Sequence, residues 1–556
     1  MEVSVQNIDP FTMQIIRNYL FSTTEEMIET TVRTAYSPTF SEGFDFSCAL
    51  FDRFGRMVIQ ARGIGVHLGS LVGTLKEVVR RYPNPQIGDV FITNDPYLAT
   101  HQSDVVVCRP MFCGDTHVGF AVNIGHWTDI GGMSPGGCAG TSTHVVQDGL
   151  IIPLGRIYRA GEIVPEILEF ILQNVRLPED DLGDLMSQIA ATATAEQRIQ
   201  ALAEKYGIDN VLAGMHAAMN YSKERFLAKM VDLPNGVYQA VDFIEDDGIT
   251  DKKYPINVKI TKSAEKFIVD FEGTAEQAPT PVNATITSAS AGVYSAIIAL
   301  IDPATPVNAG IFDLIEIRAP KGTIINATWP APVYGCTFEM AKRVPETILK
   351  AFADRVPEHV AAGSFGSGNN LSARFLDQAT GMESVWYNYY EGGQGATAFG
   401  DGNDGVYFWA ETSLNQPIEV WEHKYPVLVE RYALRAGSGG RGKFRGGLGT
   451  VHEIRVLEDH YLSGLADRHR ISPWGLQGGE PGMPNRWSVR REGVTKELRE
   501  VFGLKSPSKF YNVHLRKGDV LIIETGGGGG FGPQAERDTA SQSRDLLDQY
   551  YGVGAG

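Results

Sequence analysis

His101-Gln102-Ser103-Asp104 runs directly into the apolar triplet Val105-Val106-Val107, and His126 closes the next apolar run, Phe120 to Ile124. If these runs pair as neighbouring strands, their ends present His101, Asp104 and His126 to one point. Asp45, in Phe44-Asp45-Phe46-Ser47, is placed to add a second carboxylate. Two imidazoles and one or two carboxylates with an open position suit a catalytic Zn²⁺, Mn²⁺ or Fe²⁺. Neutral imidazole donates a lone pair, and carboxylate offsets the cation's charge. Water in the open position becomes acidic enough to yield hydroxide near neutral pH. The competing reading makes His101 and His126 ordinary loop histidines with hydrogen-bonded rings.

Other motifs fail on inspection. Gly437 to Lys443 fits most of a phosphate-binding loop, but Phe444 stands where a hydroxyl must meet Mg²⁺. More glycines (Gly446, Gly447, Gly449) follow where a helix should begin, so an anion-binding helix start is also missing. His452-Glu453 lacks the second histidine of a zinc-protease helix, and no clean G-x-S-x-G elbow occurs. Gly526 to Gly530 reads as a tight loop at the C-terminal edge rather than a ligand wrap. Trp474 reads as a core or interface aromatic.

The elements that must position these residues follow from periodicity. Asp9-Pro10 opens a helix by capping, and apolar spacing carries it to about Tyr36, where Ser37-Pro38 ends it. From Phe44 to Gly149, short β-branched runs between glycine and Asx turns read as a sheet with polar loops. His117, in Cys113-Gly114-Asp115-Thr116-His117, falls at the turn between the two ligand-bearing strands. Residues 165–230 read as helical. Ile256-Val258-Ile260 and Phe267-Val269-Phe271 read as a hairpin. Helices are expected over Ser288 to Leu300 and Pro345 to Asp354, and the last third is glycine-dense and β-rich. The fold class is therefore α+β and multidomain, with mixed sheets, helical segments and a glycine-rich β C-terminal region. The expected divisions are 1–230 (holding the metal site), 231–380 and 381–556.

A chain of 556 residues exceeds what one hydrophobic core supports. Its 49 Lys and Arg against 66 Asp and Glu give −17, a charge that repels phosphate backbones and anionic lipid. Nucleic acid and membranes are thus excluded as expected partners. The five cysteines are scattered and odd in number, which predicts buried free thiols in a reducing cytosol rather than a disulfide framework. The start of the chain has no basic flank and no apolar core, so no signal peptide is expected and the localisation read here is cytoplasmic.

The ordered motifs carry a family resemblance over about Asp9 to Pro533. They are Phe44 to Asp52, Val66-His67-Leu68-Gly69-Ser70, Asn94-Asp95-Pro96-Tyr97, Thr100-His101 to Asp104 and Gly125-His126 to Gly132. Gln147-Asp148-Gly149-Leu150, Gly392 to Ala396, Ser438-Gly439-Gly440, Arg445 to Gly449 and Gly526 to Gly530 complete them. With these the chain resembles the hydantoinase B family, which includes N-methylhydantoinase B subunits and the matching half of 5-oxoprolinase. Acetone and acetophenone carboxylase large subunits are distant relatives. The resemblance implies metal ligands at His101, Asp104 and His126 with Asp45 as a fourth, zinc first and manganese or iron as alternatives. It also implies ATP and Mg²⁺ on a separate hydantoinase A-type subunit, in a heterotetramer of two A and two B chains. His144 departs from a glutamate frequent in the family, and Asp148 replaces another.

The implied function is the metal-bearing half of a two-component, ATP-dependent cyclic amide hydrolase, opening hydantoin, oxoproline or lactam rings. ATP is needed because hydrolysing an unstrained cyclic amide is uphill or nearly neutral. The general base is assigned to Asp129 or His144, as either is expected beside the metal. The alternatives are a subunit of an ATP-dependent ketone carboxylase and a non-catalytic scaffold for the A-type partner.

Overall fold

The computed structural model describes residues 9–378 and 381–551. Asp9 accepts the amides of Phe11 and Thr12 at 3.0 and 3.1 Å, and Pro10 takes the first helical position, so α1 spans Pro10–Thr34. Strands β1 (Phe46–Asp52) and β2 (Met57–Gln60) follow, then α2 (Gly65–Arg81) and β3 (Val90–Thr93). The long hairpin β4 (Asp104–Cys113) and β5 (Thr116–His126) comes next, then β6 (Gly155–Arg159) and β7 (Glu162–Ile163). Together they make a seven-stranded antiparallel sheet in the order β2-β1-β5-β4-β3-β6-β7.

Both faces of this sheet are covered. Val105 and Val107 join a core with Ile16 and Leu20 of α1, whereas Val106 and Cys108 join one with Leu68, Leu71 and Leu75 of α2. That is why β4 reads as a continuous apolar run instead of an alternating one. Helices α3 (Pro178–Tyr206) and α4 (Ile208–Met230) complete the outer layer. All five cysteines are buried and free.

Helix α2 corrects the sequence expectation, which placed only sheet between Phe44 and Gly149. Its apolar residues keep helical spacing, but Gly65, Gly69 and Gly73 disguise it. Gly69 serves packing: a Cβ there would lie 2.5 Å from Cα of Ala291, on α5 (Ile286–Ile301). Before α5 come β8 (Gly236–Ile244), β9 (Tyr254–Lys262) and β10 (Phe267–Asp270). The expected β9–β10 hairpin turns between Lys262 and Phe267. β11 (Ile315–Arg318) adds in parallel to β10, closing a four-stranded sheet. Helix α6 (Met340–Phe352) starts five residues before the expected Pro345. The proline is tolerated within it because its ring packs on α5, where a Cβ on Gly292 would sit 3.1 Å from Pro345 Cδ.

The last third holds two antiparallel sheets enclosing a core of Trp386, Trp487, Leu462 and Ile454. β12 (Asn370–Leu376) and β13 (Glu383–Asn388) belong to the four-stranded one. Gly526 to Gly530 is not an edge loop. All five residues are buried, and their backbone is bonded to three other glycine-rich segments. Gly393 N donates to Gly526 O at 3.0 Å, Gly528 N to Gly447 O at 2.9 Å and Gly440 N to Gly528 O at 2.8 Å. In the stretch resembling a phosphate loop, the amides of Gly440, Lys443 and Phe444 all donate to backbone carbonyls, so they are not free to cradle phosphate. Among the described residues, no helix is long and apolar enough to cross a membrane.

Candidate metal centre

The β4–β5 register sets Asp104 directly opposite His126, at the open end of the hairpin. His101 stands just before β4, and its Nε2 lies 3.1 Å from Asp104 Oδ2. One ligand-capable atom from each of His101, Asp104 and His126 falls within 4.8 Å of the others, and all three residues are buried. Asp45 joins from the start of β1, its carbonyl accepting the His126 amide at 2.9 Å. The spacing of the two apolar runs therefore brings these residues to one place.

Burial sets the electrostatics. It pushes the His126 imidazole down to about 3, helped by neighbouring His101, so the ring is neutral and keeps its lone pairs. Burial also raises Asp45 to about 7, against the pull of His67. For Asp104 burial is the largest influence and opposes ionisation, yet His101 and His67 outweigh it and hold the carboxyl well below its ordinary range.

Both ring nitrogens of His126 lack any hydrogen-bond partner, as does Nδ1 of His101. Buried polar groups are almost always partnered, and leaving one unmade costs about 1–3 kcal/mol. A buried imidazole with two orphaned nitrogens, beside a second imidazole and an ionised carboxylate, fits a transition-metal ligand set.

The cavity over this cluster is walled by His67, Thr337, Phe338, Lys342, Tyr387, Tyr389 and Glu411. His67, in the first turn of α2, points Nε2 at Asp104 Oδ1 (3.3 Å) and lies 4.0 Å from Asp45. Tyr387, near the end of β13, stacks on His126 with ring centroids 4.4 Å apart. Sequence reasoning gives His67 a place in a motif but no role, because its segment does not read as a helix. Lys342, Glu411 and Tyr387 come from distant segments with no local spacing signal.

Neither Asp129 nor His144, the expected general bases, lines this cavity, and both side chains are engaged elsewhere. Asp129 accepts the amides of Gly131 (2.9 Å), Gly136 (3.0 Å) and Arg176 (3.0 Å), and its Oδ2 pairs with the Arg176 guanidinium at 3.1 Å. His144 caps the short turn at Val145–Gln147 and meets Trp329 edge-on. Asp129→Asn should lower stability by about 1.5–3 kcal/mol, as loss of charge-assisted hydrogen bonds does. His144→Ala should change it by less than about 1 kcal/mol. Both should keep wild-type metal content; urea titration and elemental analysis check this, and metal loss in either would return that residue to the site.

The sequence profile described as hydantoinase B/oxoprolinase matches residues 9–534. An uncharacterised protein of Methanocaldococcus jannaschii is 37% identical, over 98% of this chain and 94% of its own. A Pseudomonas protein named for the B component of a D-/L-hydantoinase is 32% identical, over 99% and 94%. The crystal structure of an ATP-dependent caprolactamase from Pseudomonas jessenii superposes with a TM-score of 0.87 at 28% identity, covering 99% of this chain and 98% of that one.

Proposed function

We propose that this chain, which belongs to the hydantoinase B/oxoprolinase family, is the metal-carrying subunit of an ATP-dependent enzyme that opens cyclic amides. The observation that carries this reading is the fully buried, partnerless imidazole of His126 beside His101 and Asp104. ATP and Mg²⁺ belong to a hydantoinase A-type partner, in an assembly of two chains of each kind. The Pseudomonas relative, named as one component of a hydantoinase, supports a partner, and the occupied amides of the Gly437–Lys443 stretch support placing the nucleotide elsewhere.

In this scheme the partner phosphorylates the amide oxygen, and water adds to the activated carbon at the cavity described here. The tetrahedral adduct then breaks its ring C–N bond, the nitrogen leaving as a protonated amine, and a second water hydrolyses the resulting acyl phosphate to carboxylate and phosphate. His101, Asp104 and His126, with Asp45 as fourth ligand, would hold a divalent ion, zinc first and manganese or iron as alternatives. Such an ion supplies Lewis acidity and lowers the pKa of water to ~7. The chain's own residues prepare the site. Burial keeps His126 neutral, so no proton competes for its lone pairs. His67 Nε2 steers Asp104, and Tyr387 fixes the plane of His126 by stacking.

The test is ATP turnover by the chain purified with its A-type partner, screened against cyclic amides and, with bicarbonate, against ketones. Amide-dependent ADP release that requires both chains is expected, with none from this chain alone. Robust ATPase activity from this chain alone would refute the division of labour. A ketone product heavier by one carbon dioxide would move the protein to the carboxylases.

A further inference from the structure

The cavity over the metal cluster is far smaller than any ring it would act on. Partly open to its surroundings, it offers about 30 Å³, room for one or two waters, whereas a benzene-sized ring occupies a cavity of ~150 Å³. One wall must therefore move. Residues 411–417 have no regular secondary structure and alternate between inside and outside, with Ser413 buried and Thr412 and Leu414 exposed. The segment is tied down by Gly65 N to Ala410 O (2.9 Å), Leu414 N to Gly43 O (3.0 Å), Asn415 Nδ2 to the Tyr432 hydroxyl (2.6 Å) and the ion pair of Glu411 with Lys342.

Lys342 is the only lysine or arginine lining this cavity among the described residues. Its side chain is 5% exposed. Two of its three N–H bonds go to Glu411 and to the Thr337 carbonyl (3.2 Å). A buried ammonium stripped of its counter-ion is penalised by several kcal/mol. When the segment carrying Glu411 lifts, Lys342 keeps only the more distant Asp45 carboxylate in the cavity lining, and an incoming anion is favoured in the place of Glu411.

We propose that residues 411–417 form a lid, and that Lys342, released from Glu411 as the lid lifts, binds an anionic oxygen group of the ligand. This rests on the cyclic-amide reading only for the identity of the ligand. The shared chemistry is an oxyanion, whose source is either the phosphoryl group of the activated amide or a carboxylate borne by the ring. Glu411 in the closed state is then an internal surrogate for that anion.

Equilibrium binding to the full chain, depleted of metal so that no cation competes for the anion, tests the assignment. Three probes are titrated: inorganic phosphate, 5-oxoproline, and 2-pyrrolidone, which is the same ring without the carboxylate. Glu411→Gln frees the ammonium and should tighten oxyanion binding about tenfold. The double variant Lys342→Met/Glu411→Gln removes both charges together, avoids a lone buried carboxylate, and should lose that gain. A response to phosphate alone assigns the phosphoryl group. A response to 5-oxoproline but not 2-pyrrolidone assigns the ring carboxylate. If the double variant binds both anions as tightly as Glu411→Gln, the role of Lys342 is overturned, while the cyclic-amide reading, which needs the partner and ATP, is untouched. Amide exchange across 411–417 should quicken about tenfold in the double variant; exchange as slow as in wild type would overturn the lid.

Discussion

His126→Ala should strip the chain of metal and abolish turnover with its partner, yet lower the stability of the metal-free fold by no more than about 1 kcal/mol. Ligand loss normally comes with structural damage, but here the side chain removed has no hydrogen bond to lose. The ring's packing on Tyr387 is the main contact given up, and deleting two orphaned polar atoms offsets part of it. Changes in residues that merely orient ligands lower metal affinity or activity ~10–100-fold, so removing one of three or four donors should exceed that. His101→Ala should match it in metal content but fall slightly in stability, because the 3.1 Å contact that helps keep Asp104 ionised goes with it. His117→Ala is the control. It lies near the turn end of the same hairpin, between the rings of Phe112 and Phe120. Ten residues of strand β4 put it about 30 Å from the cluster. Elemental analysis, urea titration and turnover read all three. Full metal content and activity in His126→Ala would require the site to be abandoned.

Gly528→Ala is expected to abolish the folded state. A Cβ at Gly528 would lie 1.9 Å from the carbonyl oxygen of Gln394 and 2.2 Å from its carbon. Overpacking costs ~1–3 kcal/mol when side chains can rearrange. Here the obstacle is backbone, itself held by bonds to Asn403 and Gly447, so no side chain can turn aside. Against a total stability of about 5–15 kcal/mol the penalty should be decisive. Gly493→Ala is the matched control, since it has a positive φ of +79° but nothing within 4 Å of an added Cβ. It should cost only ~1–2 kcal/mol. Equal urea midpoints for the two variants would show that close backbone approach is not what the glycines serve.

How far the sequence carried the fold depended on how local each cause was. The cap at Asp9, the β9–β10 hairpin and the pair of apolar runs are set by neighbours in sequence, and the structure has them. Placing Asp104 against His126 needed only the register of one hairpin. Helix α2 was hidden because Gly69 answers to Ala291, a residue on another helix, and propensity alone cannot reveal that. The start of α6 was misplaced for the same kind of reason, Pro345 being accommodated by Gly292. His67 was lost with α2, and the Lys342–Glu411 pair joins segments with no common pattern. Asp129 and His144 looked catalytic by adjacency to the ligand motifs, but backbone amides and a guanidinium claim the first and a turn and an indole the second.

The glycine-rich lattice also has a kinetic consequence. Its bonds join positions such as Gly393 and Gly526, more than a hundred residues apart, and Gly440 and Gly528. Glycine gives up more backbone freedom on ordering than any other residue, and these segments carry few apolar side chains to collapse early and hold them near one another. Each doubling of the loop to be closed adds ~0.6 kcal/mol to the entropic cost, and contacts this distant in sequence form slowly. The β4–β5 hairpin, whose strands adjoin, needs none of this waiting. Refolding should therefore pass through chains in which the metal-ligand hairpin exists while the glycine segments are still apart.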